Sequence, residues 1–163
     1  MTRIITTFFG AGLLPKAPGT WGTLAALPVG WVLHGLGGFP LLVIATIIAF
    51  ALGLWATTVE TRGADDHDPS SIVIDEVVGI WIALMPLSAG MWLNDQPQWL
   101  FPYPGWVAAF IFFRLFDIWK PWIVGWADRM HTPMGVMLDD VLAGVLAAIV
   151  VIAAAGFWHG VLA

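Results

Sequence analysis

The chain has 163 residues, of which 60% are hydrophobic and only 10% are charged, and its mean hydropathy is +0.87. Soluble domains usually carry about 25% charged residues, so this composition excludes a water-soluble globular protein and indicates a membrane protein. The sequence contains no cysteine, which excludes thiol catalysis, disulfides and cysteine-bound metal. The net charge of -5 comes from few residues and provides no basic patch for nucleic acid.

Apolar stretches recur along the whole chain, and a helix needs roughly 20 mostly apolar residues to cross the hydrocarbon core. In chain order the stretches are residues 20–36, 41–59, 77–93, 99–119 and 141–158. A glycine-rich turn at residues 35–40 separates the first two, and Pro28 and Gly30 predict that the first helix is short or bent. We expect one all-α domain over residues 1–163, a polytopic membrane bundle of about five membrane helices with no strand.

Charged residues are sorted to one side of these predicted spans. If each stretch crosses once, all six basic residues and ten of the eleven acidic residues fall on the same membrane face, and only Asp95 falls on the other. By the positive-inside rule, the charged face is cytoplasmic. A site at this face would lie where a lipid headgroup can reach it.

Two acidic pairs are predicted to begin helices, Asp75–Glu76 and Asp139–Asp140. One interpretation is helix capping, since acids favour the positive end of the helix dipole. Two adjacent carboxylates near lipid are costly without a cation, however, and adjacent helical residues point about 100° apart and can reach around one ion. Four carboxylates suit Mg²⁺, which prefers oxygen ligands. The four histidines lack the spacing of zinc ligands.

A third charged group ends the fourth apolar stretch. Arg114, Asp117 and Lys120 follow one another at i, i+3 spacing, so they share one helical face, and Pro121 then ends the helix. One interpretation is a self-neutralising ladder of salt bridges. The other makes Arg114 and Lys120 phosphate-binding residues and Asp117 a base, a nucleophile or a metal ligand.

A glycine-rich segment, residues 10–22, precedes the first long stretch and carries Lys16 and Thr20. Such a segment can present backbone N–H groups to an anion, although a re-entrant entry into the membrane explains the glycines equally well. Acids for a metal, bases for a phosphate and a location at lipid level together predict metal-assisted phosphoryl chemistry.

These motifs resemble the phosphatidylglycerophosphatase A family, whose members dephosphorylate phosphatidylglycerophosphate to phosphatidylglycerol. The blocks that carry the resemblance are residues 10–22, 68–79 and 113–144, in family order. The resemblance implies a Mg²⁺-dependent enzyme of the bacterial inner membrane, with the lipid substrate bound at the cytoplasmic face. The family often has a second proline where this chain has Ile123, which concerns the path of the following loop. The polar family positions map onto Lys16, Thr20, Asp68, Asp75, Glu76, Arg114, Asp117, Lys120, Asp139 and Asp140.

From the residues and the resemblance together, we expect Asp75, Glu76, Asp139, Asp140 and Asp68 to bind metal. The predicted substrate-binding residues are Lys16, Thr20, Arg114 and Lys120, and the predicted catalytic residues are Asp117 and Asp140.

The reaction scheme stays open between two alternatives. In the first, water attacks phosphorus directly, and this scheme is preferred because the acids are better placed as ligands than as one exposed nucleophile. In the second, a carboxylate attacks first and forms an acyl-phosphate that is later hydrolysed.

Three rival functions follow from the same residues. Carboxylates in membrane helices also mark ion paths, so a divalent cation transporter or channel is the main alternative, although transport sites usually lie near the bilayer midplane between repeats. A CDP-alcohol phosphotransferase also uses membrane aspartates and Mg²⁺, but its glycine-punctuated, widely spaced aspartate motif is absent here. A purely structural bundle leaves the clustered acids unexplained. The sequence does not fix the oligomeric state.

Overall fold

A computed structural model describes residues 1–63, 69–100 and 102–161, and side chains up to Phe157. Its elements are helices, with no strand among the described residues. A 3₁₀ turn at Ala11–Leu13 follows the first helix. The α-helices are α1 (Thr2–Thr6), α2 (Pro18–Glu60), α3 (Ile74–Leu93), α4 (Gly105–Trp119), α5 (Trp122–Asp128) and α6 (Pro133–Val161).

Helix α2 is two arms joined by a hairpin. As one straight helix its 43 residues would measure about 65 Å at 1.5 Å per residue, about twice the ~30 Å hydrocarbon core. The backbone leaves helical geometry at Gly37 (φ -153°) and at Gly38 (φ 62°). A φ of 62° is left-handed and favours glycine, so the predicted turn between the first two stretches is confirmed. The first arm is residues 18–36 and the second arm is residues 39–60.

Contacts along α3 show the direction of both arms. In the first arm, the Trp81 indole N–H donates to the Ala26 carbonyl at 2.9 Å, and His34 Nδ1 lies 2.7 Å from the Ser88 hydroxyl. The first arm therefore runs parallel to α3. A Cβ added at Gly53 would lie 3.0 Å from the Ile74 side chain, so the second arm returns to the start of α3.

Glycines bring α3 and α6 into direct backbone contact. A Cβ added at Gly144 would lie 2.4 Å from the Gly79 carbonyl oxygen, and one added at Gly79 would lie 2.7 Å from the Asp140 carbonyl oxygen. Small residues at such crossings are typical of membrane helices, whose association depends on close packing. Phe113 of α4 is fully buried against the same crossing, which makes this the centre of the bundle.

Three helices are long and apolar enough to cross a membrane by length and composition: α2, α3 and the Pro133–Phe157 part of α6. With α2 counted as two arms and α4 added, five helical segments pass along the bundle, close to the predicted number. At 15 residues, α4 is about 22 Å long. It begins at Gly105 and not at residue 99, because the intervening segment contains Pro102 and Pro104.

Two further sequence predictions about helix boundaries were wrong. The segment after α4, predicted as a loop over residues 121–135, contains α5 and the start of α6. Helix α6 begins at Pro133, and the Thr132 hydroxyl caps it by accepting the Gly135 N–H at 3.1 Å. Asp139 and Asp140 therefore lie in its second turn and do not begin the helix, so capping does not explain them.

Candidate active site

Charged helix ends converge at one end of the bundle, as the sorting of charges predicted. The first arm and helices α3 and α6 begin there, and α4 ends there, which places their polar residues around one cavity of about 330 Å³. The cavity is lined from four sides by Ala17, Pro18, Gly19, Ser70, Ile72, Asp75, Glu76, Arg114, Asp117, Ile118, Lys120, Asp139 and Asp140. We call it the site cavity.

Three carboxylates meet inside the site cavity. Asp75, Glu76 and Asp140 each place one carboxylate oxygen in this cluster, and these three oxygens lie within 4.8 Å of one another. Asp75 and Asp140 are buried, and the Glu76 Oε2 atom is buried without a hydrogen-bond partner among the described residues. Buried polar atoms normally have partners, and hard oxygen donors so arranged fit a divalent cation such as Mg²⁺.

Asp139 faces a different partner from its neighbour Asp140. The Lys120 ammonium donates to Asp139 Oδ2 at 2.9 Å and also donates to Asp128, at the end of α5. Burial lowers the pKa of Lys120, but the two carboxylates more than offset it and hold that pKa above its usual range. Asp139 was predicted as a metal ligand, and the structure pairs it with Lys120 outside the three-carboxylate cluster.

The ladder predicted on α4 is present in part. Arg114 Nη1 donates to Asp117 and lies 3.9 Å from Glu76 Oε1, so Arg114 connects α4 to the carboxylate cluster. Arg114 Nε is buried and has no hydrogen-bond partner among the described residues. Asp117 and Asp140 line the same cavity from α4 and α6. Arg114 and Asp117 therefore form the predicted ion pair, whereas Lys120 pairs with Asp128 and Asp139.

Backbone from the glycine-rich segment forms one wall of the site. A Cβ added at Gly19 would lie 2.0 Å from Glu76 Oε1 and 3.3 Å from Arg114 Nη1. Only glycine allows the first turn of α2 to come so close to these charged groups. Ala17, which precedes this turn, has a left-handed φ of 49°.

Two predicted substrate-binding residues lie beside this wall. Lys16 is exposed and Thr20 is half-buried, and within the part of the chain that the structure describes neither lines the cavity. Asp68, a predicted metal ligand, lies outside the described residues.

Sequence reasoning missed three features of the site. Asp128 was visible in the segment after α4 but had no predicted partner, because α5 was not predicted. Gly19 was noted only as part of a flexible segment, and the close approach of Gly79 and Gly144 has no sequence signal beyond the presence of small residues. Each depends on which side chains the folded helices turn toward one another.

Comparison with known proteins identifies the family. A sequence model described as phosphatidylglycerophosphatase A matches residues 4–155. The phosphatidylglycerophosphatase A of Escherichia coli (strain K12) is 37% identical over 147 residues, which is 90% of this chain and 78% of that protein. The protein of the same name from Haemophilus influenzae is 39% identical over 152 residues, 93% of this chain and 86% of that protein.

A relative with a different name has similar coverage. A Bacteroides thetaiotaomicron protein provisionally named as a phosphatidylinositol-3-phosphatase is 38% identical over 152 residues, 91% of this chain and 89% of its own. No solved structure matches the chain. The match over nearly the whole chain, the identity to bacterial relatives and the converging carboxylates agree with the resemblance seen in the motifs. The chain is a member of the phosphatidylglycerophosphatase A family of membrane phosphatases.

Proposed function

We propose that this protein hydrolyses phosphatidylglycerophosphate to phosphatidylglycerol and phosphate, with Mg²⁺ bound in the site cavity at the cytoplasmic face of the bacterial inner membrane. The observation that carries the proposal is the three-carboxylate cluster of Asp75, Glu76 and Asp140 beside the Arg114 guanidinium. Family membership supplies the lipid phosphate as the substrate, and the positive-inside rule supplies the orientation.

The carboxylate cluster is the place where the metal would bind. Asp75 and Glu76 come from the first turn of α3, and Asp140 comes from α6, so the α3–α6 crossing fixes their separation. Bound there, Mg²⁺ would supply positive charge opposite the phosphoryl oxygens as charge develops in the transition state. The buried, unpartnered Glu76 Oε2 is the atom that such an ion would satisfy.

Arg114 and Asp117 supply the rest of the chemistry. The guanidinium lies between Asp117 and Glu76, where it can donate to a phosphoryl oxygen, and its planar group suits phosphate. Asp117 is oriented by Arg114 and lines the cavity, so it can accept a proton from an attacking water. Water oxygen then bonds to phosphorus as the ester P–O bond breaks, and the lipid alkoxide takes up a proton from solvent, to which Asp117 later releases the proton it accepted. Lys120 keeps Asp139 in place and contributes positive charge at the edge of the cavity.

Transport receives no support from the cavity. All of its described lining residues come from one end of the bundle, and none comes from the far ends of α3, α4 or α6. A cation path would need polar residues along the bundle to the other face.

A second candidate function differs from the first only in its substrate. The name of the relative from Bacteroides thetaiotaomicron suggests a phosphoinositide, which is also a phosphomonoester on a lipid.

Phosphate release from purified protein in detergent tests the proposal. Phosphatidylglycerophosphate, phosphatidylinositol 3-phosphate and phosphatidic acid would be compared, each with Mg²⁺ and with EDTA. Release from phosphatidylglycerophosphate is expected to need Mg²⁺ and to be lost in Asp75→Asn, Asp117→Asn and Asp140→Asn. Asp95→Asn is the matched control, because Asp95 follows the opposite end of α3. Absence of release from folded wild type with any divalent metal would refute the proposal, and preference for the inositol lipid would replace its substrate.

A further inference from the structure

A second concave surface lies on the outside of the bundle between α4 and α6. This groove has a volume of about 520 Å³, and apart from Lys120 it is lined by apolar and aromatic side chains. Those that carry the argument are Phe116 and Trp119 on α4 and Leu146, Ile149 and Val150 on α6. We call it the α4–α6 groove. None of these residues has a part in the phosphatase chemistry proposed above.

The α4–α6 groove begins at the site cavity. Lys120 lines both, and its ammonium donates to Asp139, which belongs to the lining of the site cavity, at 2.9 Å. Lys120 ends α4 in a left-handed conformation (φ 47°), which leaves it at the junction of the two surfaces. The polar end of the groove is therefore at the level of the proposed phosphate position.

From that junction the groove runs toward the membrane interior. Helix α6 leads away from the charged end, and Val150 lies ten residues beyond Asp140, which corresponds to about 15 Å along the helix. This is about half of the ~30 Å hydrocarbon core. Trp119 and Trp122 lie at the Lys120 end and are 69% and 90% exposed, as expected for rings at the headgroup level.

We propose that the α4–α6 groove holds an acyl chain of the lipid whose phosphate occupies the site cavity; this rests on the function proposed above. The groove has a charged end beside the site and an apolar lining toward the membrane interior. This distribution of polarity fits an amphiphilic lipid and does not fit a soluble phosphate ester. Because an acyl chain moves from one apolar environment to another, the groove gains little from hydrophobic transfer. The groove instead holds the acyl chain by shape complementarity, which orients the phosphate toward Arg114 and the carboxylate cluster.

A pair of matched substitutions on α6 tests this role. Val150→Trp fills the groove, whereas Val145→Trp makes the same change on the same helix at an exposed position that does not line it. Both variants would be assayed in mixed micelles on dipalmitoyl phosphatidylglycerophosphate and on its deacylated headgroup, glycerophosphoglycerophosphate. Val150→Trp is expected to lower kcat/KM for the long-chain lipid about tenfold, the lower end of the roughly 10- to 200-fold range for a small misfit in a hydrophobic pocket. The kcat/KM on the deacylated substrate is expected to stay at the wild-type value.

A binding measurement on wild type covers the case in which Val150→Trp does not fold. Phosphatidylglycerophosphate with a diazirine near the middle of one chain is expected to crosslink to α6 around Leu146–Val150, as mapped by mass spectrometry. Labelling elsewhere on the bundle, or equal kinetics of the two tryptophan variants, would overturn the groove assignment while leaving the phosphatase intact. Wild type that releases phosphate from neither substrate would overturn both proposals.

Discussion

Gly144→Ala is expected to inactivate the enzyme without touching a polar residue. The added Cβ would lie 2.4 Å from the Gly79 carbonyl oxygen, with the Gly79 carbonyl carbon and Cα at 3.0 and 3.1 Å. All three atoms are backbone, so no side chain can rotate away. Ordinary contacts of a Cβ begin at 3.4 Å, and α3 and α6 must therefore separate by about 1 Å at this crossing.

That separation acts directly on the carboxylate cluster. Asp140 lies one turn before Gly144 on α6, while Asp75 and Glu76 lie one turn before Gly79 on α3. Moving the helices apart by about 1 Å moves Asp75 and Glu76 away from Asp140, the other proposed metal ligand. A misplacement of about 1 Å can cost roughly 100-fold in rate, so we expect kcat to fall about 100-fold and the Mg²⁺ concentration for half-maximal activity to rise.

The matched control is Gly156→Ala on the same helix, where an added Cβ meets no atom within 4 Å. Both changes improve helix propensity by up to about 1 kcal/mol, so a difference between them reports the α3–α6 contact alone. Phosphate release at varied Mg²⁺ and thermal unfolding in detergent would be measured for both. Equal kcat and equal Mg²⁺ dependence in the two variants would refute the role of the crossing in placing the ligands.

Three further outcomes are expected. Gly19→Ala should raise the Mg²⁺ concentration needed for half-maximal activity while Tm changes little, because its Cβ displaces the flexible ends of Glu76 and Arg114 and no backbone atom. Gly90→Ala, where an added Cβ meets no neighbour, should match wild type. An unchanged Mg²⁺ dependence in Gly19→Ala would contradict this expectation. Because the pKa of Lys120 is raised in the folded state, its contribution to stability is full below the unfolded-state pKa of about 10.4 and is lost as pH rises further. Lys120→Met should therefore lower Tm at pH 8 and flatten the fall in Tm between about pH 10 and 12, and an equally steep fall in the variant would count against the two ion pairs. Trp81→Phe removes the indole hydrogen bond to the first arm, so the free energy of unfolding should fall by about 1 kcal/mol in a denaturant titration. The kcat of this variant should equal that of wild type.

Much of the fold follows from composition and the order of residues. With only 10% charged residues, the chain cannot form a water-exposed protein surface. Its composition therefore predicts helices that cross a membrane. The glycines at 37 and 38 mark the hairpin, and strict alternation of crossings places the acidic pairs and the α4 charges at one end. The start of α6 was predicted too late because an apolar window stops at the first acid, whereas α6 continues through Asp139 and Asp140 toward the membrane surface.

The assignment of partners within the site required the tertiary structure. Sequence placed Asp139 and Asp140 side by side and predicted both as metal ligands, but adjacent helical residues point about 100° apart. Only the rotation of α6 against α3 decides that Asp140 joins Asp75 and Glu76 while Asp139 binds Lys120. That rotation is set by the contact of Gly144 with Gly79. The two glycines are far apart in the chain, so no local sequence pattern predicts their contact. The sequence therefore determined which charged residues gather at one end of the bundle, and the packing of two helices decided which carboxylates lie together there.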